Sequence, residues 1–330
     1  MPRSNPHRPY RPDPDQLALW PKVSGNAING LDETKPRAPQ MVYWAPDPSD
    51  IPHGPLQLYF LSRAQAASDM SALRAKRQAV IDAPLPEIAE TPTQQDPNAW
   101  TAALQDFVQD GICDQIGVAE MHPDWLYAGR TTRFTRIVMI GVAHDYTEIS
   151  TAPAPPAGHE VMRQYMRAAK ASKDVAGWLR QNGWDADPAT GPMTGDVMMI
   201  PPALACGFGE LGKHGSIINP NFGASFRLSA VLTNAPFAPT PPQTHGIDNF
   251  CQNCRICEDA CPPAALFADK KTVRGTRKWY VDFDKCLPYF NETQGCAICI
   301  AVCPWSRPGV GPNLASKLAR RAARQDPPAP

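Results

Sequence analysis

Eight of the ten cysteines of this chain lie in two blocks near its C-terminus, and their spacing limits the possible folds more than any other feature. The first block reads C-x2-C-x2-C-x3-C-P and begins at Cys251. The second begins at Cys286 and repeats this order with a longer first gap. Bacterial ferredoxins hold two 4Fe-4S clusters with this run, and the fourth cysteine of a block binds the other block's cluster. We therefore predict a bacterial ferredoxin-like domain with two 4Fe-4S clusters over residues 244–312.

The same rule divides the eight cysteines into two predicted ligand sets. The first cluster is assigned Cys251, Cys254, Cys257 and Cys303, and the second cluster is assigned Cys261, Cys286, Cys296 and Cys299. Zinc is disfavoured because zinc sites use separated CxxC pairs, and disulfides are disfavoured because we recognise no export signal. Cys113 and Cys206 stand outside both blocks and are interpreted as buried apolar thiols.

Composition and charge disfavour some classes of partner. The chain has 330 residues, with 32 basic and 32 acidic side chains, so no net charge favours nucleic acid or an anionic membrane. No apolar run reaches the roughly 18 residues of a membrane span, and the first residues lack the apolar segment of a signal peptide. We therefore expect a cytoplasmic protein with no membrane span and no nucleic-acid partner.

Proline-rich stretches divide the chain into four predicted parts. These are a proline-rich N-terminal region at 1–95, a globular domain at 96–243, the cluster domain at 244–312 and a C-terminal tail at 313–330. The proline-rich linker Asn234–Pro242 marks the boundary before the cluster domain. The basic stretch Lys317–Arg324 is compatible with a short helix, but a solvated turn is favoured.

Hydrophobic periodicity predicts the main helices and strands. Helices are expected at Ser62–Ile81, Trp100–Gln109 and Glu160–Gln181, and strands are expected at Ile137–Val142 and Arg227–Thr233. Asn182-Gly183 would end the last of these helices, because such residues commonly adopt the conformation that closes a helix.

The glycines Gly207, Gly209 and Gly212 satisfy the pattern GxGxxG. In a dinucleotide-binding fold this pattern follows a strand, opens a helix and precedes an acidic residue by about 20 positions. Here it follows Pro201-Pro202, and Asn234 stands where the acidic residue is required. A dinucleotide site is therefore not predicted.

Three further segments follow one another in a specific order. They are the helix with Tyr165 and the sequence WLRQNGW from Trp178, the stretch ACGFGELGKHGSIINPNFGASFRLSAVLT from Ala205, and CAICIAVCPWSRP from Cys296. Together they resemble corrinoid-dependent reductive dehalogenases of the short, cytoplasmic, catabolic type, a family related to epoxyqueuosine reductase. The resemblance covers residues 116–308. It implies an α+β fold in which a nitroreductase-like cobalamin-binding domain, residues 96–243, precedes the cluster domain.

The resemblance also implies a reaction and residues that perform it. An oxidoreductase of this family removes halogen from an organic compound, with aromatic halides favoured here, at the cobalt of cobalamin. Tyr165 matches the family's proton-donating tyrosine, and Tyr146 is its rival. Lys213 matches a cation that would assist the tyrosine and hold a phenolate oxygen. Electrons would reach the clusters from an external ferredoxin, flavodoxin or reductase.

The resemblance places the cofactor contacts in one stretch. Gly207, Gly209 and Gly212 would allow close approach of the backbone to cobalamin, with Ser216 and Asn219 as polar contacts. The family binds cobalamin without a histidine below the cobalt, and none of the seven histidines lies in a DxHxxG pattern.

Two rival functions remain open. An epoxyqueuosine-reductase-like enzyme acting on tRNA would carry Asn after the lysine, whereas Lys213 is followed by His214-Gly215. A non-catalytic iron–sulfur electron-transfer protein would bind no corrinoid at all.

Overall fold

The computed structural model describes residues 8–65, 68–191 and 195–325 and has an α+β architecture. The helices before the sheet and around it are Pro14–Ala18 (α1), Gly25–Asn29 (α2), Gly54–Gln65 (α3), Ser68–Asp82 (α4), Pro97–Val108 (α5), Tyr146–Ile149 (α6), Pro155–Gln181 (α7) and Ile200–Ala205 (α8). The later helices are Ile247–Asn253 (α9), Ile256–Ala260 (α10), Phe283–Glu292 (α11), Ile298–Ala301 (α12) and Val310–Gln325 (α13). The strands are Gln115–Glu120 (β1), Arg136–Ala143 (β2), Ala186–Ala189 (β3), Glu210–Leu211 (β4), Ile217–Ile218 (β5), Phe226–Thr233 (β6), Lys271–Val273 (β7) and Thr276–Lys278 (β8).

The centre of the molecule is an antiparallel four-stranded sheet in the order β1-β2-β6-β3. Strands β2 and β6 pair along their whole length, from Arg136 opposite Thr233 to Ala143 opposite Phe226. Both faces of β2 are covered, and its interior side chains are buried. This explains why the strand is a continuous apolar run and does not alternate between apolar and polar residues. The predictions of strands over residues 137–142 and 227–233 are confirmed.

Helix α7 covers one face of this sheet and carries Tyr165. Val175 and Leu179 of this helix pack with Val138 and Val231 of the sheet. Asn182 and Gly183 end the helix, and Gly183 has a φ of +81°, so the prediction of this boundary is confirmed.

The cluster domain follows the sheet, and the N-terminal region packs against it. Gln16 donates hydrogen bonds to the carbonyl of Pro288 at 3.1 Å and to Glu292 at 2.8 Å, both on α11. Phe60 of α3 stacks on Phe290 of the same helix. The predicted helix Ser62–Ile81 overlaps two helices, α3 and α4, and residues 66–67 between them lie outside the described residues.

Two predictions about connecting segments are corrected. The proline-rich stretch 234–242 lacks helix and strand but is not a free linker, because Phe237 is buried and Thr240 donates a backbone hydrogen bond to Val118 at 2.8 Å. The basic stretch at Lys317 is part of helix α13 and not a solvated turn. Leu314 and Leu318, one turn apart, pack this helix against the core of the cluster domain.

Within the described ranges, no helix is both long enough and apolar enough to cross a membrane.

Candidate active site between two cluster sites and a tyrosine

The eight cysteines form two separate groups in space. One small pocket is lined by Cys251, Cys254, Cys257 and Cys303. The four other cysteines, Cys261, Cys286, Cys296 and Cys299, line a second and much larger space. The structure therefore brings together each predicted ligand set, including the exchange of the fourth cysteine between the blocks.

The electrostatics of the thiols agree with this grouping. Burial and then the charge of Cys303 raise the pKa of Cys257 to about 12. Burial and then the charge of Cys296 raise the pKa of Cys286 to about 12. Thiols that are mutually close, buried and costly to ionise fit a metal cluster, because iron binding supplies the positive charge that deprotonates them.

The two groups are neighbours. Cys299 of the second set is close enough to Cys257 of the first for the charge of Cys257 to help raise its pKa, after the larger effects of burial, Cys296 and Cys286. Among the described residues, no three cysteine, histidine or carboxylate side chains converge on a single metal ion. In a cubane each thiolate binds a different iron atom, so its four ligands are spread around the cluster.

Two adjoining cavities meet at Tyr165. The sheet-side cavity, about 400 Å³, is lined by residues of β5 and β6 and by Tyr43. The cluster-side cavity, about 530 Å³, is lined by the second cysteine set and by α4 and α7. The residues shared by both linings are Trp44, Tyr165, Ser216 and Arg227. Tyr165 therefore lies where the second cluster site opens toward the sheet.

Two arginines flank the ring of Tyr165. The guanidinium carbon of Arg227, from β6, lies 5.0 Å from the ring centroid, and that of Arg77, from α4, lies 5.8 Å away. Gly191 leaves room for this arrangement, because a Cβ there would be 3.3 Å from Arg77 and 3.5 Å from Tyr165. Burial lowers the pKa of Arg77, whereas the nearby Tyr165 raises it.

Lys213 is not beside Tyr165, so its assignment as the cation that assists the tyrosine is corrected. Its side chain is only 2% exposed, and its Nζ lies 3.6 Å from Glu258 and 5.2 Å from the centre of the Trp279 ring. It lines the pocket of the first cysteine set and neither cavity that Tyr165 lines. The hairpin β4–β5 turns the lysine toward the cluster domain.

The predicted role of the three GxGxxG glycines as cobalamin contacts is also corrected, since none of them lines either cavity. Gly209 has a φ of +126°, and a Cβ there would collide with the carbonyl of Ile218. Gly207, with a φ of +84°, faces Pro241, and a Cβ on Gly212 would press on Ile218 and His214. The three glycines therefore shape the β4–β5 hairpin and the segment that leads into it.

The two residues predicted as polar contacts of cobalamin lie in different places. Ser216 lines both cavities. Asn219 is fully buried and donates to the carbonyl of Phe208 at 3.0 Å, while its side-chain oxygen accepts from the backbone N–H of Asn221 at 2.8 Å. It therefore fixes a turn and does not face the cavities.

Tyr146, the rival proton donor, lies outside both linings. Its hydroxyl donates to the carbonyl of Ala301 at 3.1 Å, which holds α6 against α12. Of the two tyrosines, Tyr165 is the one that faces a cavity.

Sequence reasoning missed Trp44, Arg77 and Arg227 as cavity residues. Arg74 and Arg77 lie three positions apart and share a helix face, which was the available signal. Nothing in the sequence showed that this face would cover Tyr165.

The fold and the two cysteine sets define an iron–sulfur protein with a sheet domain beside a dicluster domain. Residues 250–306 match the family of 4Fe-4S dicluster domains, so the prediction of two 4Fe-4S clusters is confirmed.

Comparison with known proteins confirms the resemblance to reductive dehalogenases. The tetrachloroethene reductive dehalogenase of Desulfitobacterium hafniense is 31% identical over 218 residues, which are 62% of this chain and 39% of the relative. The epoxyqueuosine reductase of Bacillus anthracis is 31% identical over 127 residues, 34% of this chain and 30% of its own. The chain thus spans about two fifths of the length of the dehalogenase.

Solved structures of reductive dehalogenases share the fold. The catabolic reductive dehalogenase NpRdhA, solved in complex with 3-bromo-4-hydroxybenzoic acid, matches 93% of this chain and 48% of its own length with a TM-score of 0.72 and 21% identity. A reductive dehalogenase structure described with a mechanism for B12-dependent dehalogenation matches 76% of this chain and 40% of its own length, with a TM-score of 0.68 and 24% identity. The predicted fold, an α+β domain followed by a ferredoxin-like domain, is confirmed.

The cavities fit a large, mainly apolar cofactor. They adjoin the second cluster site, apolar and aromatic side chains dominate their linings, and Arg77 Nε, Arg77 Nη2 and Arg227 Nε are buried without hydrogen-bond partners among the described residues. Buried donors of this kind require a partner. A corrin ring with polar groups at its edge meets both demands.

Proposed function

We propose that this protein is a corrinoid-dependent reductive dehalogenase that replaces a halogen on an organic compound, preferably an aromatic one, with hydrogen. The observation that carries the proposal is that Tyr165, Arg227 and the second cysteine set line connected spaces. A proton donor, a cation and an electron-transfer centre therefore surround one site.

The overall reaction consumes two electrons and one proton and releases halide: R–X + 2e⁻ + H⁺ gives R–H + X⁻. A corrinoid bound in the cavities would supply the reductive cleavage of the carbon–halogen bond. An external low-potential donor supplies the electrons, one at a time, through the adjacent clusters. The potentials of iron–sulfur clusters in proteins extend down to about −700 mV.

The residues of the chain handle the proton and the substrate. Tyr165 donates its hydroxyl proton to the carbon that loses the halogen and takes a proton from solvent afterwards. Arg227, above the Tyr165 ring, stabilises the phenolate that forms in between, because a nearby cation favours the anionic form. Trp44 and the apolar lining exclude bulk water from the cavity.

The test is anaerobic reconstitution with iron, sulfide and cobalamin, followed by desalting and assay with reduced viologen and a bromophenol. We expect retained cobalamin near one per chain, and bromide equal in amount to the phenol formed. Clusters without retained cobalamin would contradict the proposal and leave an electron-transfer protein. Retained cobalamin without bromide release from any of a panel of aromatic and aliphatic halides would contradict the dehalogenase activity itself.

The external electron donor, the cytoplasmic location and the absence of a nucleic-acid partner stay predictions.

A further inference from the structure

Helix α13 presents a row of cations to solvent. Its four basic side chains are exposed and recur at the three- and four-residue spacing of one helix face: Lys317, Arg320, Arg321 and Arg324. The sequence of this helix contains no aspartate or glutamate. Because the whole chain has as many acidic as basic side chains, this face is a local concentration of positive charge.

The charge of this face is not neutralised within the part of the chain that the structure describes. None of the four cations forms a salt bridge with a described carboxylate; Arg320 donates to the carbonyl of Ser316 in its own helix, at 3.3 Å. The helix dipole favours a cation in the last turn, where Arg324 lies. It does not account for Lys317, which lies about two turns earlier. The row is therefore available to an anionic surface.

The packed side of α13 lies against the first cluster site. Leu314 and Leu318 pack on a core that includes Cys251 and Cys303 of the first set. A Cβ on Gly246, the residue before helix α9, would lie 3.4 Å from Leu318. Since α9 carries Cys251, α13 contacts the support of the first cluster on one side and presents cations to solvent on another.

The surroundings of the two cysteine sets indicate the direction of electron flow. The second set lines the cluster-side cavity together with Tyr165. The first set lines neither cavity. Its Cys254 is partly exposed and lies between the exposed residues Asn253 and Arg255. Electrons used in the cavity would therefore enter at the first cluster and leave from the second.

We propose that the cationic face of α13 is the docking surface for a small, acidic carrier of single electrons that reduces the first cluster. This inference rests on the proposed function, which needs an external electron donor, and deepens it by stating where that donor binds and what charge it has. Each encounter oxidises the carrier by one electron and reduces the cluster by one electron, and no bond is made or broken. Charge complementarity suits such a partner, because transient electron-transfer complexes have small interfaces and depend on electrostatic steering for speed.

Two other anionic partners fit this surface less well. A helix that binds a membrane surface buries its apolar face among the lipid headgroups, whereas Leu314 and Leu318 of α13 are engaged in the core. Single-stranded nucleic acid stacks on aromatic side chains, and α13 has none. Neither partner would use the neighbouring cluster.

Stopped-flow spectroscopy of the full chain carrying both clusters tests the proposal without any halide. The probe is an acidic plant-type ferredoxin, and electron exchange with the clusters is followed in whichever direction it proceeds. Arg320→Gln combined with Arg321→Gln should lower the second-order rate constant about tenfold at about 10 mM salt. At about 500 mM salt the variant and the wild type should be nearly equal, because salt screens exposed charges.

Three controls separate docking from other effects. Arg320→Lys combined with Arg321→Lys keeps both charges and should keep the wild-type rate. Lys22→Gln combined with Lys76→Gln removes two exposed cations of the N-terminal region and should change the rate by less than about twofold. Reduction of the clusters by viologen, which needs no docked protein, should not slow in any variant.

Iron content and circular dichroism establish that each variant is folded and holds both clusters. Should the variant with Gln at positions 320 and 321 lose its clusters, Lys317→Gln combined with Arg324→Gln replaces it.

A wild-type rate at low salt in the Gln variant of α13 would overturn the proposal. An equal loss in the variant of Lys22 and Lys76 would also overturn it, because net charge alone would then set the rate. So would tighter binding of a tRNA stem-loop or of anionic lipid vesicles than of ferredoxin, if the Gln variant of α13 lost that binding. Electron exchange that behaves as predicted in a protein that releases no halide would contradict only the proposed function.

Discussion

At the scale of single residues, the site depends on side chains that approach Tyr165 from distant parts of the chain. Arg227 comes from the sheet and Arg77 from the N-terminal region, and they lie 5.0 and 5.8 Å from its ring. Spacing alone identified the cysteines, because all their constraints are local. It could not identify the cation at Tyr165, because the direction of the β4–β5 hairpin sends Lys213 elsewhere.

One residue-scale prediction concerns His144, which is buried beside Arg227. Burial and then the charge of Arg227 hold its pKa well below the usual value. The unfolded chain therefore takes up a proton near pH 6.5 that the folded chain does not, and stability falls as the pH decreases below that value. The contribution is about 1 kcal/mol between pH 6.5 and 5.5.

Anaerobic urea unfolding of the cluster-loaded protein at pH 7.5 and 5.5 checks this. His144→Gln should lose less stability than wild type between pH 7.5 and 5.5, by about 1.4 kcal/mol. Equal losses in the two proteins would contradict the account of His144.

At the scale of elements, the sequence predicted the long strands and helix α7 but not the short β4–β5 hairpin. The main strands and helix α7 were predictable from apolar periodicity, since each buries a regular face against the sheet. The hairpin consists of strands of only two residues each, so it has too few positions for a periodic signal. Its glycines therefore resembled a ligand-binding loop although they shape a turn.

The hairpin supplies the second prediction. Gly209→Ala should destabilise the protein by about 2 kcal/mol or more, because it combines a positive φ of +126° with a collision against Ile218. Gly111→Ala, at a φ of +90° with nothing within 4 Å, bears only the backbone strain and should cost about 1 kcal/mol. Urea unfolding measures both, and equal losses would show that the Ile218 contact is not tight.

At the scale of the whole molecule, the last cysteine of each block lies with the cysteines of the other block. The cluster domain, α4 and α7 together line the cluster-side cavity. Sequence spacing predicted the exchange. It could not predict that the N-terminal region contributes Trp44 and Arg77, because contacts between segments so far apart leave no local pattern.

The ligand exchange gives the third prediction. Cys303 belongs to the second block but lines the pocket of the first set. Cys303→Ala should therefore disrupt the first cluster and preserve the second, while Cys261→Ala should do the reverse. Each variant should then keep a single cluster. Iron content measures how much cluster remains, and electron paramagnetic resonance shows which cluster it is. Loss of the same cluster in both variants would contradict the assignment.

The rate of bromide release by the cobalamin-loaded protein and two tyrosine variants tests whether Tyr165 is the proton donor. We predict that Tyr165→Phe lowers this rate by about 100-fold or more, as expected for loss of a general acid, while it retains cobalamin and both clusters. Tyr146→Phe, which removes a hydroxyl outside the cavities, should stay within a fewfold of wild type. A fully active Tyr165→Phe, or a larger loss in Tyr146→Phe, would show that the proton comes from elsewhere and that the site is wrongly placed.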